Sequence, residues 1–169
     1  MFPTYLSKAL SYFSILGCFL ATGFAVQAAD TQAITATVGA SSVSVTVTTD
    51  GAVAYGNIPL SGSTTTIALS ETQTIQNNGS DDEAFNIIGT DSLNWTLEAA
   101  VGADQYTHEF STTTGSLWTF MAQDAYTSMD HRVASSGTSA LDMRISVPST
   151  SSSYDPQTVS VTIQAVVVN

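Results

Sequence analysis

Few side chains in this sequence are of the types that usually perform chemistry. The 169 residues include two histidines, one cysteine and three basic side chains, against 14 acidic ones. His108 is followed by Glu109 on a predicted strand, where neighbouring side chains face opposite ways, and His131 follows Asp130 in an irregular stretch. The two histidines and a carboxylate could act as an acid–base or metal pair only if the fold brought them together. The sequence has no phosphate-binding glycine loop, zinc-protease motif or serine elbow, so no catalytic residue is predicted.

Acidic side chains offer one candidate metal site. Asp81, Asp82 and Glu83 are consecutive between two predicted strands. Calcium is bound by several carboxylate and carbonyl oxygens from a flexible loop, although this cluster lacks the spaced Asp-x-Asp-x-Asp-Gly pattern. Two interpretations follow: a calcium site, or a solvated turn whose negative charge favours solubility. No other cofactor is predicted.

Aromatic side chains offer a candidate ligand site. Trp95, Tyr106 and Trp118 are the rings that could stack on sugars if they were exposed on a β-sheet, as in carbohydrate-binding modules. Trp95 alternates with two leucines, however, and Trp118 alternates with a phenylalanine, which is typical of core positions on strands. Both interpretations of the aromatic residues stay open at this point.

Composition excludes two classes of protein. The chain is 43% hydrophobic and only 10% charged, with a formal net charge of −11. A disordered chain combines low hydrophobicity with dense charge, which is the opposite balance. A nucleic-acid partner is also excluded, because three basic residues cannot form the positive surface that displaces counterions from phosphate.

The N-terminal residues have the organisation of an export signal. Met1 to Lys8 carries the only lysine, an apolar run follows from Ala9 to Phe24, and small residues precede Ala28. This pattern predicts a signal peptide over residues 1–28 with cleavage after Ala28. A retained membrane anchor is one alternative, although the run is shorter than the roughly 20 residues that span a bilayer. Lipid anchoring through Cys18 is the other, because Ile15 to Cys18 resembles a bacterial lipobox.

Cleavage would leave residues 29–169 as a single domain, secreted or held at the cell surface. This domain contains neither lysine nor cysteine, and close to a third of its residues are serine or threonine. A disulfide framework or thiolate metal site is therefore excluded, and the hydrophobic core must provide the stability. About 140 residues are enough, because a domain of that size buries roughly two-thirds of its unfolded surface.

Hydrophobic residues alternate with a period of two through most of this domain. Val43, Val45 and Val47 alternate with hydroxyl side chains, and Asp50-Gly51 predicts a hairpin turn into a strand at Ala52 to Tyr55. Residues 123–132 predict an ordered loop or a single turn. Further strands are predicted at residues 34–38, 65–69, 72–76, 84–88, 95–99, 106–110, 117–121, 141–147 and 158–168. The fold class is therefore all-β, an antiparallel sandwich that is immunoglobulin-like or jelly-roll-like.

Several segments together resemble exported bacterial immunoglobulin-like sandwich proteins, most of which are uncharacterised. The segments are Ala52 to Ile58, Thr72 to Ser80, Phe85 to Ile87, Asn94 to Leu97, Tyr106 to Phe110, Val147-Pro148 and Val159 to Val166. Trp95-Thr96-Leu97 also resembles the WxL cell-wall-binding domain, which carries a second such tripeptide where this chain has Ile163-Gln164-Ala165. The predicted arrangement of a strand, an Asn-Asn-Gly turn and a second strand is similar to that of matrix-fibre proteins of the TasA and camelysin type. That similarity implies assembly by strand exchange.

The expected function is that of a secreted, non-catalytic structural or adhesive protein of a cell surface or extracellular matrix. Backbone pairing at a sheet edge would join it to copies of itself or to other envelope or matrix proteins. The strand expected to join a neighbour is either Thr31 to Val38 or Val159 to Val168. The alternative is a carbohydrate-binding or cell-wall-binding module that uses Trp95 and Trp118.

Overall fold

The computed structural model describes residues 37 to 168, apart from the side chains of Asp130 and His131. The predicted signal peptide, Cys18 and most of the segment from Thr31 to Val38 lie outside these residues. Within the described range the chain forms ten strands in two sheets and one short helix, which confirms an all-β, sandwich-like fold. The strands are β1 (Val45–Val47), β2 (Ser63–Thr65), β3 (Gln73–Asn77), β4 (Glu83–Gly89), β5 (Thr96–Leu97), β6 (Gln105–Ser111), β7 (Thr119–Phe120), β8 (Thr127–Val133), β9 (Thr138–Ser146) and β10 (Val161–Val167), and the helix α1 covers Thr66–Leu69.

The larger sheet has seven strands and is organised around β9. Its order is β1-β3-β9-β6-β5, with β2 also paired to β9 and β7 also paired to β6. One edge of β9 pairs first with β3 and then with β2, and its other edge pairs with β6. All of these pairs are antiparallel except β5 with β6.

The smaller sheet has three antiparallel strands in the order β10-β4-β8. Residues of β4 alternate strictly between buried and half-buried, because its inner face lies on the core and its outer face is partly solvated. Phe85 and Ile87 on the inner face have no exposed surface. A register shift between Ala84 and Asn86 interrupts the pairing of β4 with β8, and the extra residues lie on β8.

Two clusters of buried side chains form the core. The sheet-covered core lies between the two sheets and consists of Ile75, Phe85, Ile87, Phe110, Met121, Met129, Val133, Leu141 and Met143. The loop-covered core has only Leu97, Tyr106 and Ile145 as fully buried members. The side chains that pack over this second cluster come mostly from irregular segments: Tyr55, Ile58, Trp95, Phe120 and Val159.

Three local predictions were wrong. Asp50-Gly51 does not open a hairpin, because β1 pairs with the distant β3 and residues 52–55 form no strand. Residues 123–132 are not only a loop, because Thr127–Val133 is a full strand paired with β4. The predicted strand at 65–69 is mostly helix α1, which Thr65 caps by accepting the Ala68 N–H at 3.1 Å.

Candidate functional site

Strand β10 leaves one edge of the smaller sheet unpaired among the described residues. It pairs with β4 over its whole length, from Val161 opposite Gly89 to Val167 opposite Glu83. The Val168 N–H donates to the Asp82 carbonyl at 3.1 Å, which continues the ladder by one residue. Because antiparallel ladders bond at every second residue, the backbone groups of the odd-numbered residues of β10 point away from β4. These groups can pair with an added strand.

A cavity of about 720 Å³ lies beside the start of β10. We call it the β10 cavity. The segments 51–60 and 151–161 form its two sides, and its apolar lining includes Val53, Ile58, Ile145, Val147, Val159 and Val161. Its polar lining includes Tyr55, Trp95, His108, Asp155 and Gln157. Asp155 is the one lining residue that carries a formal charge at neutral pH, so the walls favour an uncharged occupant.

His108 is the most unusual polar residue of the β10 cavity. It lies on the inner face of β6, is 2% exposed and shares a hydrogen bond of 2.9 Å between its Nε2 and the Tyr55 hydroxyl. Burial lowers the pKa of His108 to about 4 and raises the pKa of Tyr55, so both groups are uncharged at neutral pH. The His108 Nδ1 is buried and has no partner among the described residues. An unmade hydrogen bond of this kind costs roughly 1–3 kcal/mol.

Only one member of the histidine pair considered from sequence has a described side chain. His108 contacts Tyr55 and lies 6.5 Å from the Tyr106 ring centroid, and both neighbours are uncharged aromatic groups. The side chain of His131 lies outside the described part of the chain.

The three candidate aromatic residues do not form one exposed platform. Trp95 is half-buried at the β10 cavity, where its Nε1 donates to the Ser151 hydroxyl at 2.8 Å. Tyr106 has no exposed surface and donates its hydroxyl proton to the Thr90 carbonyl, so its ring cannot stack on a sugar at the surface. The ring centroids of Trp95 and Tyr106 are 6.4 Å apart, as expected of neighbours in one core.

Trp118 lies apart from the other two rings. The Arg144 guanidinium carbon is 4.9 Å from the centre of the Trp118 ring, so a cation–π contact covers one face of the indole. Arg144 also binds both carboxylate oxygens of Glu109, with contacts of 2.6 and 2.8 Å. This hydrogen bonding raises the pKa of Arg144. Trp118 is therefore part of a packed group on the outer face of the larger sheet.

The acidic cluster splits into three separate environments. Asp82 pairs with Arg132 at 2.8 Å on the surface, and Asp81 accepts the Ser80 hydroxyl at 3.0 Å. Glu83 has no exposed surface, and its Oε1 accepts the Ser44 N–H at 2.8 Å. The described residues contain no group of three histidine, cysteine or acidic side chains that could hold a metal ion. The geometry therefore does not bring these carboxylates together as calcium ligands.

Two carboxylates are buried in the fold: Glu83, which was a calcium candidate in the sequence, and Asp142, which sequence reasoning did not single out. Glu83 holds the chain just before β1, and Gly79 is required beside it, because a Cβ there would overlap the Glu83 Oε1 and the Ser42 carbonyl. Asp142 is 1% exposed and accepts hydrogen bonds from the Thr66 and Thr72 hydroxyls. The available signal was their alternation with apolar neighbours, which places Glu83 on the same face of β4 as Phe85. Both residues fasten the chain and do not line the β10 cavity.

Comparisons with known proteins returned nothing to which the chain could be assigned. No family model matches it, and neither curated proteins nor solved structures gave a match. In the described part of the chain, no helix is long and apolar enough to cross a membrane.

Proposed function

We propose that this protein is a secreted, non-catalytic structural or adhesive component of a cell surface or extracellular matrix. Its copies, or other envelope or matrix proteins, join it by backbone pairing at the free edge of β10. The sandwich is immunoglobulin-like in this proposal. The observation that carries the proposal is a seven-residue edge strand with no partner on one side among the described residues.

The composition of β10 supports pairing. Proteins usually protect an exposed edge with lysine, proline, an inward charge or a bulge, because an open edge recruits other strands. The sequence from Val161 to Val167 contains no charged residue and no proline, and its register with β4 is uninterrupted. Its core-facing side chains are only half-buried, so an added strand would also cover apolar surface.

A proline at position 165 tests this edge directly. Ala165 presents its N–H away from β4, so Ala165→Pro removes one edge donor and keeps the β10–β4 ladder intact. We expect the purified wild-type protein to form oligomers or fibres in light scattering and electron microscopy. We expect Ala165→Pro to reduce assembly at least tenfold, while Ala165→Ser, which keeps the N–H, assembles like the wild type.

Two results would overturn the proposal. One is a wild-type protein that stays monomeric at all concentrations, ionic strengths and pH values tried. The other is an Ala165→Pro variant that assembles as well as the serine control.

Export requires a separate measurement, because residues 1–28 lie outside the described residues. We expect the mass of the protein collected from outside expressing cells to correspond to residues 29–169. A mass that includes a diacyl group on Cys18 would instead indicate lipid anchoring at the surface.

A further inference from the structure

We infer that the β10 cavity binds an uncharged, mainly apolar small molecule that carries one hydrogen-bond-accepting oxygen, such as that of a ketone or an ester. The Tyr55 hydroxyl is the group that donates to this oxygen. This binding is a function in addition to the one proposed above. It does not require strand pairing, because Val161 is the one residue of β10 that lines the cavity.

The cavity has the size of a small-molecule site. Its volume of about 720 Å³ lies within the range of roughly 300–1,000 Å³ that such sites occupy. Its floor is the inner face of β6 and β9, where His108 lies directly opposite Ile145. The irregular segments 51–60 and 151–159 form its two walls. Paired strands hold the side chains of the floor in place, whereas irregular walls can move apart to admit a ligand.

The lining disfavours a charged ligand. Asp155 is the one lining residue with a formal charge at neutral pH, and it is exposed to solvent. No basic side chain occurs among the described lining residues, so an anion finds no partner, and a cation finds only a carboxylate that water already solvates. Taking either ion out of water costs free energy. Apolar lining residues such as Ile58, Val147 and Val159 instead favour aliphatic or aromatic carbon.

Two of the polar side chains in the lining already have partners. The Trp95 Nε1 donates to the Ser151 hydroxyl at 2.8 Å. The Gln157 Oε1 accepts the Ser92 hydroxyl at 2.9 Å, and the Gln157 Nε2 donates to the Asp155 carbonyl at 2.8 Å. These groups therefore hold the walls together and are not the first choice of a ligand.

The Tyr55 hydroxyl has capacity for a further hydrogen bond. Its one partner among the described residues is the His108 Nε2, at 2.9 Å. Both residues line the cavity, so their contact is part of its floor. A phenol hydroxyl can donate and accept at the same time, and the contact with His108 uses only one of these roles. Which role remains for a ligand depends on which imidazole nitrogen carries the proton.

The Nδ1 atom of His108 decides between the two roles. Burial lowers the pKa of His108 to about 4, so at neutral pH only one ring nitrogen carries a proton. Nδ1 is buried without a partner among the described residues. Proteins tolerate a buried acceptor without a donor better than a buried N–H without an acceptor. The proton therefore belongs on Nε2, which donates to Tyr55, and the Tyr55 O–H remains to donate to a ligand. A hydroxyl that accepts one hydrogen bond is also a stronger donor.

Nitrogen NMR tests the position of this proton. Protonated and bare imidazole nitrogens differ widely in chemical shift. We expect the Nε2 of His108 to have the shift of a protonated nitrogen at neutral pH and Nδ1 to have that of a bare one, with both signals absent from His108→Phe. A proton on Nδ1 would overturn the role of Tyr55 as a donor.

A matched pair of probes tests the ligand chemistry. Prodan is an uncharged naphthalene dye with one ketone, and its analogue with a methylene group in place of the ketone carbonyl has the same shape without the acceptor. We expect the affinity of prodan relative to this analogue to fall on the order of fivefold in Tyr55→Phe, measured by fluorescence titration. Tyr126→Phe is the control, because Tyr126 is exposed and lies outside the lining. It should leave the ratio unchanged.

Filling the cavity tests the location of the site. Val159→Phe enlarges a lining side chain, whereas Ser160→Phe places the same ring on an exposed neighbour outside the lining. We expect Val159→Phe to weaken prodan binding on the order of tenfold or more, because its ring takes the space of the ligand. Ser160→Phe should bind prodan like the wild type. This pair keeps the inference testable if Tyr55→Phe does not fold, which circular dichroism would show.

The outcomes separate this site from unspecific binding and from the proposed function. If the wild type does not bind prodan saturably, or if Val159→Phe binds it equally well, the cavity is not a ligand site. If the affinity ratio is unchanged in Tyr55→Phe, the Tyr55 hydroxyl does not donate to the ligand and the inference is wrong. A protein that stays monomeric and binds prodan in the cavity would overturn strand pairing and support the ligand site.

Discussion

The two parts of the core are closed in different ways. The sheet-covered core has nine buried members, and strands of both sheets face it from either side. The loop-covered core has three buried members, and residues from irregular segments such as Tyr55, Ile58 and Trp95 pack over it. The large cavity and the unpartnered His108 nitrogen occur where irregular segments, and not a second sheet, face the larger sheet.

This difference separates the part of the molecule that provides stability from the part that is open to a partner. Close packing between paired strands leaves no room for a ligand and makes each buried side chain costly to remove. Irregular segments have fewer backbone hydrogen bonds to other strands and can move apart at lower cost. The β10 cavity lies in the second part, whereas the inner side chains of the β10 edge pack against the first.

A matched pair of isoleucine truncations gives the largest contrast. Ile87 has no exposed surface in the sheet-covered core, whereas Ile58 is half-buried over the loop-covered core. We expect Ile87→Ala to lower the free energy of unfolding by about 3 kcal/mol and Ile58→Ala by about 1 kcal/mol, measured by urea denaturation. Equal losses would show that both parts are packed equally tightly.

The pH dependence of stability gives the next contrast. The pKa of His108 is about 4 in the folded protein, compared with an ordinary value of 6.5. Below pH 6.5 His108 therefore binds a proton in the unfolded chain but not in the folded protein. His108 therefore contributes stability above pH 6.5 that is lost as the pH falls towards 4. We expect a loss on the order of 2 kcal/mol between pH 6.5 and pH 5.

His108→Phe keeps a ring at this position and removes the titration. The difference between this variant and the wild type cancels the contribution of His131 and of every carboxylate. Over the same pH range, we expect the free energy of unfolding of the variant to fall by about 2 kcal/mol less than that of the wild type in urea denaturation. An unchanged slope would mean that His108 is solvated and that the β10 cavity is wide open to water.

The two arginine ion pairs give the smallest contrast. Arg144 and Glu109 are 33% and 17% exposed, and Arg144 also covers Trp118, whereas Arg132 and Asp82 are 62% and 37% exposed. We expect a double-mutant cycle with Arg144→Gln and Glu109→Gln to give a coupling of about 1 kcal/mol. The cycle with Arg132→Gln and Asp82→Asn should give less than about 0.5 kcal/mol. Equal coupling energies would show that the greater burial of the Arg144–Glu109 pair does not strengthen it.

The period-of-two pattern predicted strands whose side chains alternate between buried and solvated. It failed where the pairing of a strand depends on residues distant in the chain. The period of two from Ala84 to Ile88 predicted β4, because each inward residue there is buried. The Asp50-Gly51 signal failed, since β1 finds its ladder on β3. Strand β8 was missed because its polar residues mask the inward Met129 and Val133.

The candidate site was only partly accessible from sequence. The segment Val159 to Val168 was predicted to offer an edge, and β10 is an edge strand of the smaller sheet. The β10 cavity could not be predicted, because its walls come from segments about 100 residues apart in the chain. Nothing in the neighbourhood of His108 indicated a buried partner such as Tyr55, which is 53 positions away.

The position of Trp95 has an optical consequence. The chain has two tryptophans, and only Trp95 lines the β10 cavity, while Trp118 lies against Arg144. Indole emission shifts to shorter wavelength when water leaves its surroundings, so filling the cavity would change the fluorescence of Trp95 and leave that of Trp118 constant. With Trp118→Phe as the reporter variant, the protein carries its own unlabelled probe of cavity occupancy.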